Sequence, residues 1–199
     1  MYESVKVVRY RIMRVSILIL THNRPLLFKR CISSVLLNKP ENVEILVNND
    51  SKDIKEIAGA TYYYKTHSDL SDTYKYLFNK ASGEFIYFLE DDDYVSSDFW
   101  KILSQVKENT VFRYIPEKSI KLYYEYFIHN PSFEEHFQLG QLVFKKKSLT
   151  SFPKGNNIHN DYQLYKSLSG SIMNDRRPIY TQTTDGNDNI SFDEYPETI

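Results

Sequence analysis

Short apolar runs alternate with helix-like segments along the first half of the sequence, and this alternation constrains the fold more than any other feature. A β-α-β-α-β-α-β order implies a mostly parallel sheet with right-handed crossovers. Most of the runs are continuous rather than alternating, as expected of strands covered on both faces. The predicted strands are residues 15–20 (VSILIL), 43–47 (VEILV), 61–65 (TYYYK) and 85–89 (FIYFL).

Two long helices, and between them a short one that opens at Ser51, are predicted between these strands. The first begins near Pro25, which suits a first helical turn, and ends before Pro40. The second begins at Ser68 or Ser71 and is broken by Gly83. The expected architecture is therefore an α/β fold with helices flanking a central sheet.

The second half is less regular, and no shift in composition marks a domain boundary. We predict one domain over residues 13–199, with a ligand-binding half at about 13–98 and a second half at about 99–199. Residues 1–12 form an extension, and either Met1 or Met13 is the start. Further predicted elements are a short helix opening at Ser51, a helix over 98–109, strands at 110–115, 120–127 and 141–144, a helix at 159–169 and a strand at 177–183.

Charge and composition exclude several classes of protein. A net charge of -1 gives no overall attraction to nucleic acid, although FKKKS at 144–148 is a local basic patch. The single cysteine, Cys31, excludes an internal disulfide. We expect it to be a small helix residue that packs into the protein core. No apolar run is long enough to span a bilayer and the N-terminus does not resemble a signal peptide, so we expect a cytoplasmic protein without an integral membrane segment.

Polar side chains follow three of the predicted strands, where ligands bind in open α/β sheets. Residues 21–24 (THNR) follow the first strand, residues 48–50 (NND) the second, and residues 90–93 (EDDD) the fourth. Four adjacent acids are tolerable if a divalent cation neutralises them, and hard oxygen ligands favour Mg²⁺ or Mn²⁺. The alternative is a solvated acidic turn that caps a helix starting near Ser97.

Four motifs, in order, resemble those of glycosyltransferase family 2, whose members have the GT-A nucleotide-sugar fold. The resemblance covers nearly the whole chain from about Arg14. It implies an inverting, metal-dependent transfer of a sugar from a nucleotide-diphosphate sugar, by default a UDP-sugar, to an acceptor hydroxyl. The motifs are VSILILTHNRP, EILVNNDSKD, ASGEFIYFLEDDDY and FKKKSLTSFPKGNNIHNDYQLYKSL.

The resemblance also implies roles for individual residues. Asp92 and Asp93 would bind the metal, Asp92 most directly, and Asp161 would be the catalytic base. His159 and Asn160 would lie near the acceptor. The residues that would bind the nucleotide sugar are Thr21, Asn23, Arg24, Asn49, Lys75, Glu90 and Asp91.

Three departures from the family pattern accompany these roles. Asn49 stands where the family usually has an Asp that accepts a hydrogen bond from uracil, and an amide both donates and accepts. Tyr74 and Lys75 replace a common Arg-Asn pair. The tail lacks the His that sometimes binds metal there, so Asp185, Asp188 or an Asn must make any closing contact.

Two other functions remain open from the sequence. A nucleotidyltransferase shares the sheet and acidic site, but it usually has a glycine-containing loop after the first strand, and THNRPLL has none. A binding module that lost catalysis would explain Asn49 and Asn160. The acceptor is either a glycan, free or lipid-linked, or a hydroxylated DNA base contacted by FKKKS.

Overall fold

A computed structural model describes residues 13–51, 54–66, 70–116, 137–154 and 160–183. The strands in this part of the chain are β1 (Val15–Thr21), β2 (Val43–Asn49), β3 (Thr61–Tyr63), β4 (Phe85–Glu90), β5 (Tyr94–Val95), β6 (Asn109–Pro116), β7 (Leu142–Lys145) and β8 (Ile172–Gln182). The helices are α1 (Pro25–Leu36), α2 (Leu70–Lys80), α3 (Phe99–Leu103) and α4 (Asn160–Lys166), with 3-10 turns at Leu139–Gln141 and Lys146–Ser148. None of these helices has the length and apolarity needed to cross a bilayer.

The strands form one eight-stranded sheet in the order β3-β2-β1-β4-β7-β6-β8-β5. Strands β3, β2, β1 and β4 are parallel, as the alternating pattern predicts. Strand β7 is antiparallel to β4 and β6, whereas β6 and β8 are parallel. The predicted α/β class is confirmed, and the second half extends the same sheet with mixed strand directions.

Hydrophobic cores lie on both faces of the sheet, which explains why β1 is continuously apolar. Ile17 and Ile19 pack on the α1 side, where Cys31 is also buried as predicted. Leu18 points to the opposite face and packs in the core that contains Leu77 of α2. Each fully buried side chain of this size contributes about 1.5–3 kcal/mol through removal of apolar surface from water.

Gly83 lies in the connection between α2 and β4, where the chain passes close to β1. A β-carbon on this residue would lie 2.5 Å from the Ser16 Oγ atom and 2.6 Å from the Ser16 backbone nitrogen. The Gly83 N–H donates to the same hydroxyl at 2.8 Å. The close approach to β1 therefore requires glycine here and fixes where β4 begins.

Several local predictions differ from the structure. Helix α3 is much shorter than predicted because the chain turns after Ser104 and buries Val106 in the core before β6. No helix follows Ser51 within residues 54–60. Strand β8 begins at Ile172, earlier than expected, since it pairs with the start of β6. The predicted strand at 120–127 lies outside the described residues.

Candidate active site

Three strands bring their polar ends to one edge of the sheet, as the sequence predicts. In the parallel register, Thr21 of β1 lies opposite Asn49 of β2, and Leu20 lies opposite Glu90 of β4. Because neighbouring parallel strands end together, residues distant in sequence become neighbours in space. The edge between β2 and β4 is therefore the candidate ligand site.

The acid loop, residues 90–93, is closed by a bond from the Asp93 N–H to the Glu90 carbonyl at 3.1 Å. Its three aspartates are buried: Asp91 is 1% exposed, Asp92 8% and Asp93 3%. A solvated turn would leave these carboxylates in water, so that interpretation of the sequence is wrong. The loop holds its acids inside the protein.

Burial and mutual repulsion disfavour the ionised forms of these acids. Desolvation, with smaller contributions from neighbouring carboxylates, raises the pKa of Glu90 and that of Asp93 well above their usual values. Desolvation raises the pKa of Asp91 to about 7, although the Arg24 charge opposes the shift. A bound cation would relieve the cost of ionising such a group of acids.

A divalent cation fits the acid loop. Glu90, Asp92 and Asp93 each offer a carboxylate oxygen, and the three oxygens lie within 4.8 Å of one another. Carboxylate oxygens are hard ligands suited to Mg²⁺ or Mn²⁺. Two of these residues, Asp92 and Asp93, are the metal ligands that the sequence predicts. The third, Glu90, is one that the sequence analysis assigns to binding of the nucleotide sugar.

Arg24 holds the other side of the loop. Its guanidinium contacts Asp91 Oδ1 at 2.5 Å and Asp92 Oδ2 at 2.9 Å. The Thr21 hydroxyl and the His22 backbone N–H also help to lower the pKa of Asp91. Asp91 therefore faces the β1 end of the site, while Asp92 links Arg24 to the metal-ligand group.

The amides at the β2 end bind to the protein itself. Asn49 is 1% exposed; its Oδ1 accepts from the Ser51 N–H at 3.0 Å and its Nδ2 donates to the Ile54 carbonyl at 3.1 Å. Asn23 has a positive φ of 50° and accepts from the Ser51 hydroxyl at 2.6 Å. Asn49 Oδ1 can accept a second bond and Nδ2 can donate a second one, so the side chain keeps the capacity to contact a base.

Asp161 lies in the first turn of α4, and its Oδ2 accepts from the Leu139 N–H at 2.9 Å. Desolvation raises its pKa to about 6. Its charge also contributes to raising the pKa of Glu90 and that of Tyr74. Asn160 begins the same helix, whereas His159 lies outside the described residues.

Lys75 and the lysines of the basic patch have different surroundings. Lys75 is exposed and lines a groove of about 680 Å³ together with Phe78 and residues 149–154. In the basic patch, Lys145 pairs with Glu108 at 2.6 Å. Lys146 donates to the Ala81 carbonyl at 2.5 Å. Two of the three lysines in FKKKS are thus bound within the protein.

Two residues that the sequence did not indicate contact the acid loop. Arg30 of α1 and Thr183, just after β8, both bond to the Asp92 carbonyl. They are separated by 153 positions in the chain and belong to no recognisable motif. Only the fold, which brings the end of β8 beside α1, reveals the contact.

The model of the family described as "Glycosyl transferase family 2" matches residues 16–149, which is more than half of the chain. The chain belongs to this family. The match covers the three strand ends and the acid loop. None of the curated proteins matches the sequence.

Solved glycosyltransferase structures share the fold. S. aureus TarS superposes with a TM-score of 0.66 at 14% identity, over 88% of this chain and 38% of TarS. TarS 1-349 in complex with UDP-GlcNAc gives 0.66 at 15%, over 86% and 58%. The mannosyltransferase PcManGT from Pyrobaculum calidifontis, in complex with GDP-Man and Mn2+, gives 0.61 at 11%, over 86% and 57%. The fold is GT-A, and the chain spans well under two thirds of each of these relatives.

Proposed function

We propose that the protein is an inverting glycosyltransferase that uses a nucleotide-diphosphate sugar, a divalent metal and Asp161 as base. The observation that carries the proposal is the group of three carboxylate oxygens from Glu90, Asp92 and Asp93 at the end of β4. The charge of Asp161 on α4 helps to raise the pKa of Glu90. Membership of glycosyl transferase family 2 supports the assignment.

The donor would bind across the ends of β1, β2 and β4. Glu90, Asp92 and Asp93 would hold Mn²⁺ or Mg²⁺, which would offset charge on the departing diphosphate. Arg24 and Thr21 stand at the β1 end, where a phosphate and a nucleoside would need a cation and a hydroxyl. Asp91, held by Arg24, would face the ribose.

The acceptor would react on the α4 side. Its hydroxyl oxygen forms a bond to the anomeric carbon while the bond from that carbon to the diphosphate oxygen breaks and leaves its electron pair on the diphosphate. The hydroxyl proton passes to Asp161. Attack from the face opposite the leaving group inverts the configuration. A pKa of about 6 keeps Asp161 ionised at neutral pH and more basic than an ordinary aspartate.

Individual side chains bear on the identity of the donor and of the acceptor. UDP is the default nucleotide, and Asn49 would contact the base through the second lone pair of Oδ1 or the second N–H of Nδ2, beside its bonds to Ser51 and Ile54. Asn160 and His159 would lie by the acceptor, and Lys75 by the diphosphate. We favour a glycan over a DNA base as acceptor because Lys145 and Lys146 are bound within the protein.

The other candidate is a GT-A binding module without catalysis. The amide of Asn49 favours it, because this residue stands where the family usually has an Asp. Both candidates predict donor binding. They differ in whether the bond between sugar and diphosphate is broken.

Turnover of donors by the wild-type protein separates the two. With Mn²⁺ present, release of nucleoside diphosphate is measured for a panel of UDP-, GDP-, dTDP- and CDP-sugars, with and without simple glycans. We expect release from at least one donor, and its loss in EDTA. Tight binding of a donor without release from any of them would establish the binding module instead.

A further inference from the structure

The acid loop is anchored from outside by α1 and by the end of β8. The Asp92 carbonyl accepts a bond from Arg30 Nη2 at 2.6 Å and another from the Thr183 hydroxyl at 2.6 Å. Arg30 Nη2 also donates to the Thr183 hydroxyl oxygen, so the three groups bond to one another. A hydroxyl can donate and accept at once, which makes this arrangement chemically consistent.

The same residue after β8 also binds the next acid. The Thr183 N–H donates to Asp93 Oδ1 at 2.9 Å. Thr183 is 5% exposed, so its bonds are shielded from water. Thr183 therefore fixes both the backbone at Asp92 and the carboxylate of Asp93.

Arg30 adds a positive charge to the anchor. Its guanidinium also lies over the Tyr94 ring, 4.8 Å from the centroid. Neighbouring like charges push the carboxylates of the acid loop apart, so a loop that keeps three oxygens within 4.8 Å needs such external contacts.

We propose that Arg30 and Thr183 are positioning residues that hold the acid loop ready to bind the divalent cation. This inference rests on the metal site of the proposed function. Neither residue is among the three metal-ligand candidates; each acts through Asp92 or Asp93. Groups that orient metal ligands typically change metal affinity about 10–100-fold when they are removed.

The variants isolate the side-chain contacts. Thr183→Val removes the hydroxyl but keeps the shape and the backbone N–H, whereas Thr183→Ser keeps the hydroxyl. Arg30→Met removes the donors from a helix residue and leaves β8 unchanged. The matched control is Thr110→Val: Thr110 is 6% exposed and its hydroxyl donates to the Glu108 carbonyl at 2.9 Å, in β6 rather than at the acid loop.

The readout is Mn²⁺ affinity of the full chain without donor, from the electron paramagnetic resonance signal of free Mn²⁺, together with the melting temperature in EDTA. We expect Thr183→Val and Arg30→Met to weaken Mn²⁺ binding about 10-fold or more. Thr183→Ser should bind within about threefold of wild type, and Thr110→Val should lose stability without losing affinity.

Two results overturn the inference and are distinguishable. If wild type binds Mn²⁺ and both Thr183→Val and Arg30→Met bind it equally well, the two residues are merely structural and the metal site stands. If wild type itself binds no Mn²⁺, with or without a nucleotide sugar, the metal site of the proposed function fails and the inference fails with it.

Discussion

Asp161→Asn is expected to lower kcat by about 10²- to 10⁴-fold, the usual contribution of a positioned general base. The amide cannot take the acceptor proton. It can still accept the 2.9 Å bond from the Leu139 N–H through its oxygen, so the start of α4 should keep its position. Donor affinity should therefore stay within about threefold of wild type. Single-turnover kinetics and donor titration measure the two quantities separately.

The pH profile gives the same prediction a second readout. Desolvation raises the pKa of Asp161 to about 6, so wild-type kcat should fall as the pH drops below that value and the base becomes protonated. The variant should lose this acid limb. Asp175→Asn, the same change at an exposed ion pair with Arg177, is the matched control and should leave kcat unaltered. A variant that retains wild-type kcat and the acid limb would remove Asp161 from the mechanism.

Asp92→Asn is expected to abolish most metal-dependent turnover. The change removes one of the three carboxylates of the proposed metal site and one of the two anionic partners of Arg24, at 2.9 Å. Metal stabilisation of the leaving group is worth several kcal/mol. We therefore expect kcat/KM for the donor to fall at least about 10²-fold.

Stability distinguishes this loss from misfolding. Removing one buried charge from a crowded group relieves repulsion, so the variant should melt in EDTA within a few degrees of wild type or above it. Mn²⁺ should raise the melting temperature of wild type only, because ligands stabilise the state that binds them. Asp98→Asn, an exposed change a few residues along, should behave as wild type. Equal stabilisation of Asp92→Asn by Mn²⁺ would contradict the assignment.

The sequence predicted the parallel half of the sheet because its signals are local. Continuous apolar runs indicate buried strands, and Gly83 and Pro25 mark element boundaries through their own backbone chemistry. The gathering of Thr21, Asn49 and Glu90 follows once the strands are parallel. These inferences need no knowledge of distant contacts.

What the sequence could not give depends on distant contacts. The carboxylate of Glu90 lies close to those of Asp92 and Asp93 because the loop closes on itself, which a linear run of acids does not reveal. The roles of Arg30 and Thr183 exist only because the end of β8 lies beside α1. Helix α3 ends early because core packing of Val106 overrides local helix propensity.

The most direct test of the account is calorimetry of nucleotide-sugar binding with Mn²⁺ and with EDTA. A cation held by Glu90, Asp92 and Asp93 would offset the charge of the diphosphate, so Mn²⁺ should tighten binding of the preferred donor about 10-fold or more. Asp92→Asn should lose this gain. The same dissociation constant in Mn²⁺ and in EDTA, for every donor that binds, would contradict a metal bridge between the acid loop and the donor.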